Sequence, residues 1–169
     1  MKKTVKIVVS GDGGVGKTSF LNRLVYDFFN DSNELTRGVD FYSKIMHVNG
    51  TEFNFILWDL AGQSQFKEIL DDFVEGSIAA FVLFDLTRIN TIEGVYSWTN
   101  KLKELGNIPI IILGTKYDLI DAETCSSLDE YMSNFMLFNK NIIEYLKISS
   151  KTGFNINQAF KLLIMKLNQ

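Results

Sequence analysis

One short stretch constrains this chain more than any other. Gly11-Asp12-Gly13-Gly14-Val15-Gly16-Lys17-Thr18 has the form G-x-x-x-x-G-K-[ST], and it follows the apolar run Val5 to Val9. Closely spaced glycines let a backbone turn with its N–H groups pointing inward. A helix starting directly afterwards adds the positive end of its dipole, so that a polyphosphate is held by main chain. Lys17 is then placed for the β- and γ-phosphates, the Thr18 hydroxyl for Mg²⁺. A strand, a glycine turn and a helix in that order make the N-terminal segment the first βα unit of an α/β fold.

The remaining sequence continues the rhythm. Ile110 to Leu113 and the run 78–84 are continuous apolar segments, the mark of strands buried on both faces. Amphipathic stretches lie between them. Leu128, Tyr131, Met132, Phe135 and Met136 follow a helical spacing, and Ser127 with Glu130 predicts a capping box at its start. Asn155 and Gln158 predict the cap of a last helix with Phe160, Leu163, Ile164 and Leu167 on one face. Asn90 with Glu93 predicts the opening of another, closed by Gly106 just after Leu105. Residues 39–48 and 51–58 are both strand-like and joined by Asn49-Gly50, a strong hairpin signal. The expectation is one domain over 1–169, a three-layer α/β/α fold with a six-stranded, mostly parallel sheet and one antiparallel strand. In such sheets ligands bind beyond the carboxyl ends of the strands.

Composition removes other classes. At 169 residues, with 46% hydrophobic residues and one proline, the chain is neither disordered nor low-complexity. Its longest apolar run, Ile78 to Phe84, is far too short for a membrane span. Seventeen basic against twenty acidic side chains give a net charge of −3, with no basic stretch for nucleic acid. Cys125 is the only cysteine, which suits a reducing cytoplasm, and His47 the only imidazole, so a thiol nucleophile is disfavoured.

A phosphate cradle alone does not separate GTPases from ATPases or nucleotide kinases. Trp58-Asp59-Leu60-Ala61-Gly62-Gln63 adds an aspartate at a strand end, suited to Mg²⁺ held through water. The Gly before Gln allows a loop to close on a γ-phosphate. With these residues the chain resembles the Ras superfamily of small GTPases, whose D-x-x-G-Q motif this is. Thr36-Arg37-Gly38-Val39-Asp40-Phe41 resembles the first switch of Rab-type members. Phe84-Asp85-Leu86-Thr87-Arg88 and Gly114-Thr115-Lys116-Tyr117-Asp118 resemble the septation and mitotic-exit branch.

The resemblance implies a set of roles. Gly13, Gly14, Val15, Gly16, Lys17, Thr18 and Ser19 hold the phosphates of GTP or GDP. Thr36 binds Mg²⁺ and the γ-phosphate, Gly62 senses that phosphate, Gln63 orients the attacking water, and Phe29 lies beside the base. Gln63, Lys17, Thr36 and Gly62 form the catalytic set; Thr18, Thr36 and Asp59 the metal set. Guanine falls to Thr115, Lys116 and Asp118, with Ser149, Ser150 and Lys151 following later. A fixed carboxylate can accept both N1–H and the 2-amino group. Thr115 stands where Asn is usual, which predicts a weaker or missing contact to the base, and Ser150 replaces the usual Ala. Leu60 and Ser64 also depart from common residues, the latter from a Glu involved in exchange.

The implied partners are an activating protein, an exchange factor and effectors, with Phe41, Trp58 and Phe73 as the effector-facing aromatics; simple packing of hairpin against helix explains those three equally well. No arginine stands where the family carries a catalytic one, and nothing aims Arg37 at the phosphates. Lys2 in place of Gly and the ending Lys166-Leu-Asn-Gln169 give no lipid-attachment signal, so the expectation is a cytoplasmic monomer, peripheral to membranes only with a lipidated tail. A nucleotide kinase or ATPase and a non-hydrolysing scaffold stay open as alternatives.

Overall fold

Asn49 and Gly50 both have positive φ, 51° and 76°, as a two-residue hairpin turn demands. They join β2 (Val39–Val48) to β3 (Thr51–Leu60) in antiparallel register, from Val39 opposite Leu60 to Val48 opposite Thr51. The protein is seen here as a computed structural model describing residues 2–31, 35–62, 70–104 and 106–168. Around the hairpin run β1 (Lys2–Gly11), α1 (Lys17–Tyr26), α2 (Leu70–Val74), β4 (Ala79–Asp85), α3 (Ile92–Glu104), β5 (Ile110–Thr115), α4 (Ala122–Leu137), β6 (Ile142–Lys147) and α5 (Ile156–Leu167). The sheet order is β2-β3-β1-β4-β5-β6, six strands with every pairing parallel except β2 with β3.

Strand periodicity sorts the core into two layers. Ile7, Val9, Phe81 and Leu83 face α1 and α5, meeting Phe20, Leu21, Phe160 and Leu163. Val8, Val82 and Phe84 point the other way, against Val95 and Trp98 of α3 and Leu128 and Met132 of α4. Each large side chain so buried contributes about 1.5–3 kcal/mol. Phe20 and Phe81 add an edge-to-face contact with centroids 5.2 Å apart. β1 is the centre of the topology: β3 pairs with it on one side and β4 on the other, so the chain crosses β1 on its way from β3 through α2 to β4. The carboxyl ends of β1, β3, β4 and β5 thus bring Gly11, Asp59, Asp85 and Thr115 to one edge.

Helix starts differ from expectation. α4 begins at Ala122, where Asp121 accepts a hydrogen bond from the Thr124 N–H at 2.8 Å. Ser127 and Glu130 are interior to it, and the Ser127 hydroxyl bonds back to the Glu123 carbonyl. An aspartate satisfies the free N–H groups first, so the later Ser–Glu pair has none to cap. Asn155 does precede α5, but in a left-handed conformation, and its amide donates to the Lys147 carbonyl rather than capping. α3 is preceded by a 3₁₀ turn over Ile89–Thr91 in place of an Asn90 cap. Gly106 follows its last turn with φ 138°, while Leu105 lies outside the described residues. Cys125 is buried and free. No helix among the described residues is long and apolar enough to cross a membrane.

Candidate nucleotide site

β1 delivers the chain into the glycine turn. Gly11 has φ 142°, and a side chain there would run into the Leu83 carbonyl of β4. Gly14 and Gly16 also have positive φ, 71° and 99°. No side chain caps the start of α1 and no acidic residue occupies its first turn, so its N–H groups face the turn. Lys17 folds back over this loop, its Nζ 2.9 Å from the Gly11 carbonyl and 2.8 Å from that of Asp12. The side chain is nearly enclosed, and burial, outweighing the attraction of Asp59 and Asp12, pulls its pKa down to about 8. Gly62 sits backbone against backbone on this loop: a Cβ there would overlap Gly11, Asp12 and Gly13.

At the lower end of the cradle, Thr18, Thr36 and Asp59 converge. The Thr18 hydroxyl donates to Asp59 Oδ2 at 2.5 Å and lies 2.6 Å from that of Thr36. With the Thr18 proton given to Asp59, Thr36 is the donor to Thr18. Asp59 is fully buried, and burial raises its pKa to about 6 against the pull of Thr18 and Lys17. Its Oδ1 has no hydrogen-bond partner among the described residues. A buried carboxylate oxygen without a donor, beside two hydroxyls, suits a small hard cation that keeps several waters. Among the described residues no three His, Cys, Asp or Glu gather elsewhere for a metal. These residues fit Mg²⁺.

The other end of the site is built from side chains. Asp118 Oδ1 accepts from the Ser149 hydroxyl at 2.6 Å, and the Ser150 and Lys151 carbonyls accept from Arg23 at 2.7 and 2.5 Å. Lys116, left-handed at φ 60°, sets its Nζ 2.6 Å from Asp85. The Thr115 hydroxyl shares its proton between the Val15 carbonyl at 2.6 Å and that of Phe84 at 3.1 Å. The threonine therefore ties this loop to the glycine turn and offers the cleft no free donor.

Between the two ends lies a cleft of about 380 Å³. Of the residues predicted from the sequence, Gly13, Gly14, Gly16, Lys17, Thr18, Ser19, Phe29, Thr36, Gly62, Thr115, Lys116, Asp118, Ser150 and Lys151 line it. Val15 and Ser149 are buried behind that wall, as is Asp59. Gln63 and Ser64 lie outside the described residues. Phe41, Trp58 and Phe73 form a separate stack away from the cleft: centroids are 4.5 Å apart for Phe41–Trp58 and 5.8 Å for Trp58–Phe73, with Phe41 52% exposed.

A strand–glycine turn–helix unit at the topological switch point, with a lysine over the turn and the Thr18–Thr36–Asp59 cluster below it, is the architecture of a phosphate-binding α/β domain. Residues 6–169 match the model of the Ras family, and the chain belongs to that family. Its members are small GTP-binding switch proteins.

The sequence alone assigns no role to three residues that the structure puts to use. Asp85 is fully buried and takes hydrogen bonds from Thr87, Arg88 and Lys116. Burial opposes its charge, but those donors win and hold its pKa below the ordinary carboxylate value. Arg88 bonds Asp85 through Nε at 2.9 Å and reaches the Gly13 carbonyl through Nη2 at 3.3 Å. Arg23 crosses from α1 to the Ser150–Lys151 carbonyls. An Asp–Arg pair at i, i+3 just past a strand's carboxyl end was the available signal for Arg88. Arg23 left none, because its partners are carbonyls far along the chain.

Proposed function

We propose that this protein binds GTP and GDP with Mg²⁺, hydrolyses GTP slowly, and acts as a switch through the segments around Thr36 and Gly62. The observation that carries the reading is one cleft with two unlike ends: a glycine turn with Lys17 and the hydrogen-bonded Thr18–Thr36–Asp59 cluster, and a side-chain end with Lys116 and Asp118. Inward N–H groups of residues 13–18 and the Lys17 ammonium hold the β- and γ-phosphates. Thr18 and Thr36 hold Mg²⁺ directly and Asp59 through water; the ion, when bound, offsets charge on the phosphate oxygens. Gln63 positions a water in line with the γ-phosphorus, and water adds there as the bond to the GDP oxygen breaks, giving GDP and phosphate. Positioning and charge carry such a reaction. Without a resident arginine on the γ-phosphate the intrinsic rate is on the order of 10⁻⁴ to 10⁻³ per second, to be raised by an activating protein's arginine.

The switch reading has its own support. The Ala61 N–H donates to the Gly38 carbonyl at 2.9 Å, so the chain after Thr36 and the chain before Gly62 are tied together. Losing the γ-phosphate frees both contacts at once, and the two segments relax as a unit. The half-exposed Phe41–Trp58–Phe73 stack, contributed by β2, β3 and α2, is the surface for effectors, in a Rab-like or septation-type role in signalling or membrane traffic. Competition of GDP against ADP, followed by single-turnover phosphate release, tests this. Tighter GDP binding with slow release is the expected result. Equal affinity for ADP would favour a kinase or ATPase, and retention of GTP without turnover a scaffold.

A further inference from the structure

Arg88 is held more firmly than a half-exposed arginine needs to be. Its Nε bonds the buried Asp85 carboxylate at 2.9 Å, and the backbone under it is fixed too. The Arg88 N–H donates to the Asp85 carbonyl at 3.0 Å, while its own carbonyl accepts from the Thr91 N–H at 2.9 Å and hydroxyl at 2.7 Å. With one end so anchored, little rotamer freedom remains to be lost when the far end makes a contact. That contact is Nη2 to the Gly13 carbonyl, 3.3 Å. Nη2 also lies 3.5 Å from where a Gly14 side chain would begin, so it covers the outer face of the turn.

The Gly13 carbonyl and the Gly14 N–H belong to one peptide unit. A cation bonded to the carbonyl polarises that unit and makes its N–H a stronger donor on the opposite side. Asp85 meanwhile receives Lys116 at 2.6 Å on the same oxygen that takes Arg88. One buried carboxylate thus connects the base loop to the outside of the cradle. We infer that Arg88 is a positioning residue: through the Gly13–Gly14 peptide it stiffens and polarises the cradle from behind, and so sets how long a nucleotide stays bound. This rests on the nucleotide reading above.

The experiment is stopped-flow release and association of a fluorescent GDP analogue with Mg²⁺, on wild type, Arg88→Ala and Arg88→Lys. Arg88→Ala is expected to speed release roughly 5- to 30-fold, the range for a lost charge-assisted bond of one to two kilocalories. Association should stay within about twofold, since loss of a preformed contact falls on the off-rate. A residue that merely supported folding would lower both the association rate and the active fraction. Lysine can pair with Asp85 but cannot fork to Gly13, so Arg88→Lys should fall between the other two. Release from Arg88→Ala at the wild-type rate overturns the inference, as does full restoration by lysine, which would leave only the Asp85 pair. Should wild type itself fail to retain GDP, the nucleotide reading falls and this inference with it.

Discussion

The two ends of the cleft are made of different material. The cradle is main chain held in positive-φ geometry at Gly11, Gly14 and Gly16, with one lysine folded over it. The base loops are an assembly of side chains: Ser149 on Asp118, Lys116 on Asp85, Thr115 on Val15, Arg23 on two carbonyls. Under the proposed function, the contrast follows from what each end would recognise. Phosphate presents diffuse negative charge, which converging N–H groups and a helix end satisfy without any particular side chain. A purine edge presents donors and acceptors in a fixed order, which takes directed side-chain groups to read, a carboxylate where the edge offers two donors. Substitutions at the base end should therefore change which ligand binds; those at the cradle should change whether anything binds.

The sharpest way to break that distinction is Asp118→Asn. Guanine offers two donors to the carboxylate, whereas an amide offers one donor and one acceptor and so matches xanthine, with its 2-oxygen. Sites built around buried donors discriminate by as much as about 10⁴ to 10⁵. Asp118→Asn should lose GTP by that order and gain xanthosine triphosphate, in competition assays with both nucleotides. A variant that still prefers GTP would make Asp118 a turn residue held by Ser149 and nothing more.

At the cradle the corresponding change destroys rather than redirects. Gly11→Ala puts a Cβ at φ 142° against the Leu83 carbonyl of the neighbouring β4, at the carboxyl end of β1. The cost is about 3 kcal/mol of unfolding free energy, from strain with no room to relax. Chemical denaturation measures it, and a loss near zero would mean that β1 and β4 can part there. Gln63→Leu separates the cradle from the chemistry. GTP affinity should hold while single-turnover hydrolysis falls on the order of 10²-fold, the cost of misplacing a reactant by an ångström. An unchanged rate would assign the water to another group.

How much of this could be read in advance depended on whether a residue's partner was near it in sequence. The glycine turn, the Asn49-Gly50 hairpin and the two-faced strands rest on local rules, and the structure has them at those positions. The opening of α4 also obeys a local rule, but two competed: Asp121 with the Thr124 N–H, and Ser127 with Glu130, of which the first holds. The role of Thr115 needed a partner 100 residues away, the Val15 carbonyl, so the substitution that predicts a weaker or missing base contact is also a tie to the cradle, which no local rule suggests. Arg88 has one partner three residues off and another 75 off; only the nearer could be guessed.

The smallest prediction tests whether the two ends act independently. Arg23 donates to the Ser150 and Lys151 carbonyls, and its further pair with Asp27 involves a nearly fully exposed carboxylate, which adds little. Arg23→Ala therefore loses the bracing of the base loop alone, worth about 1 kcal/mol, and GDP should leave roughly fivefold faster. Arg23 and Arg88 share no partner: one braces the base loop from α1, the other the cradle from the end of β4. Their effects on the release rate should then multiply, with any interaction below about 0.5 kcal/mol. Arg88→Ala combined with Asp85→Asn should not, because those two residues share a bond. Strong coupling between Arg23 and Arg88 would mean that base loop and cradle yield together, as one body, and the contrast between them would be one of construction only.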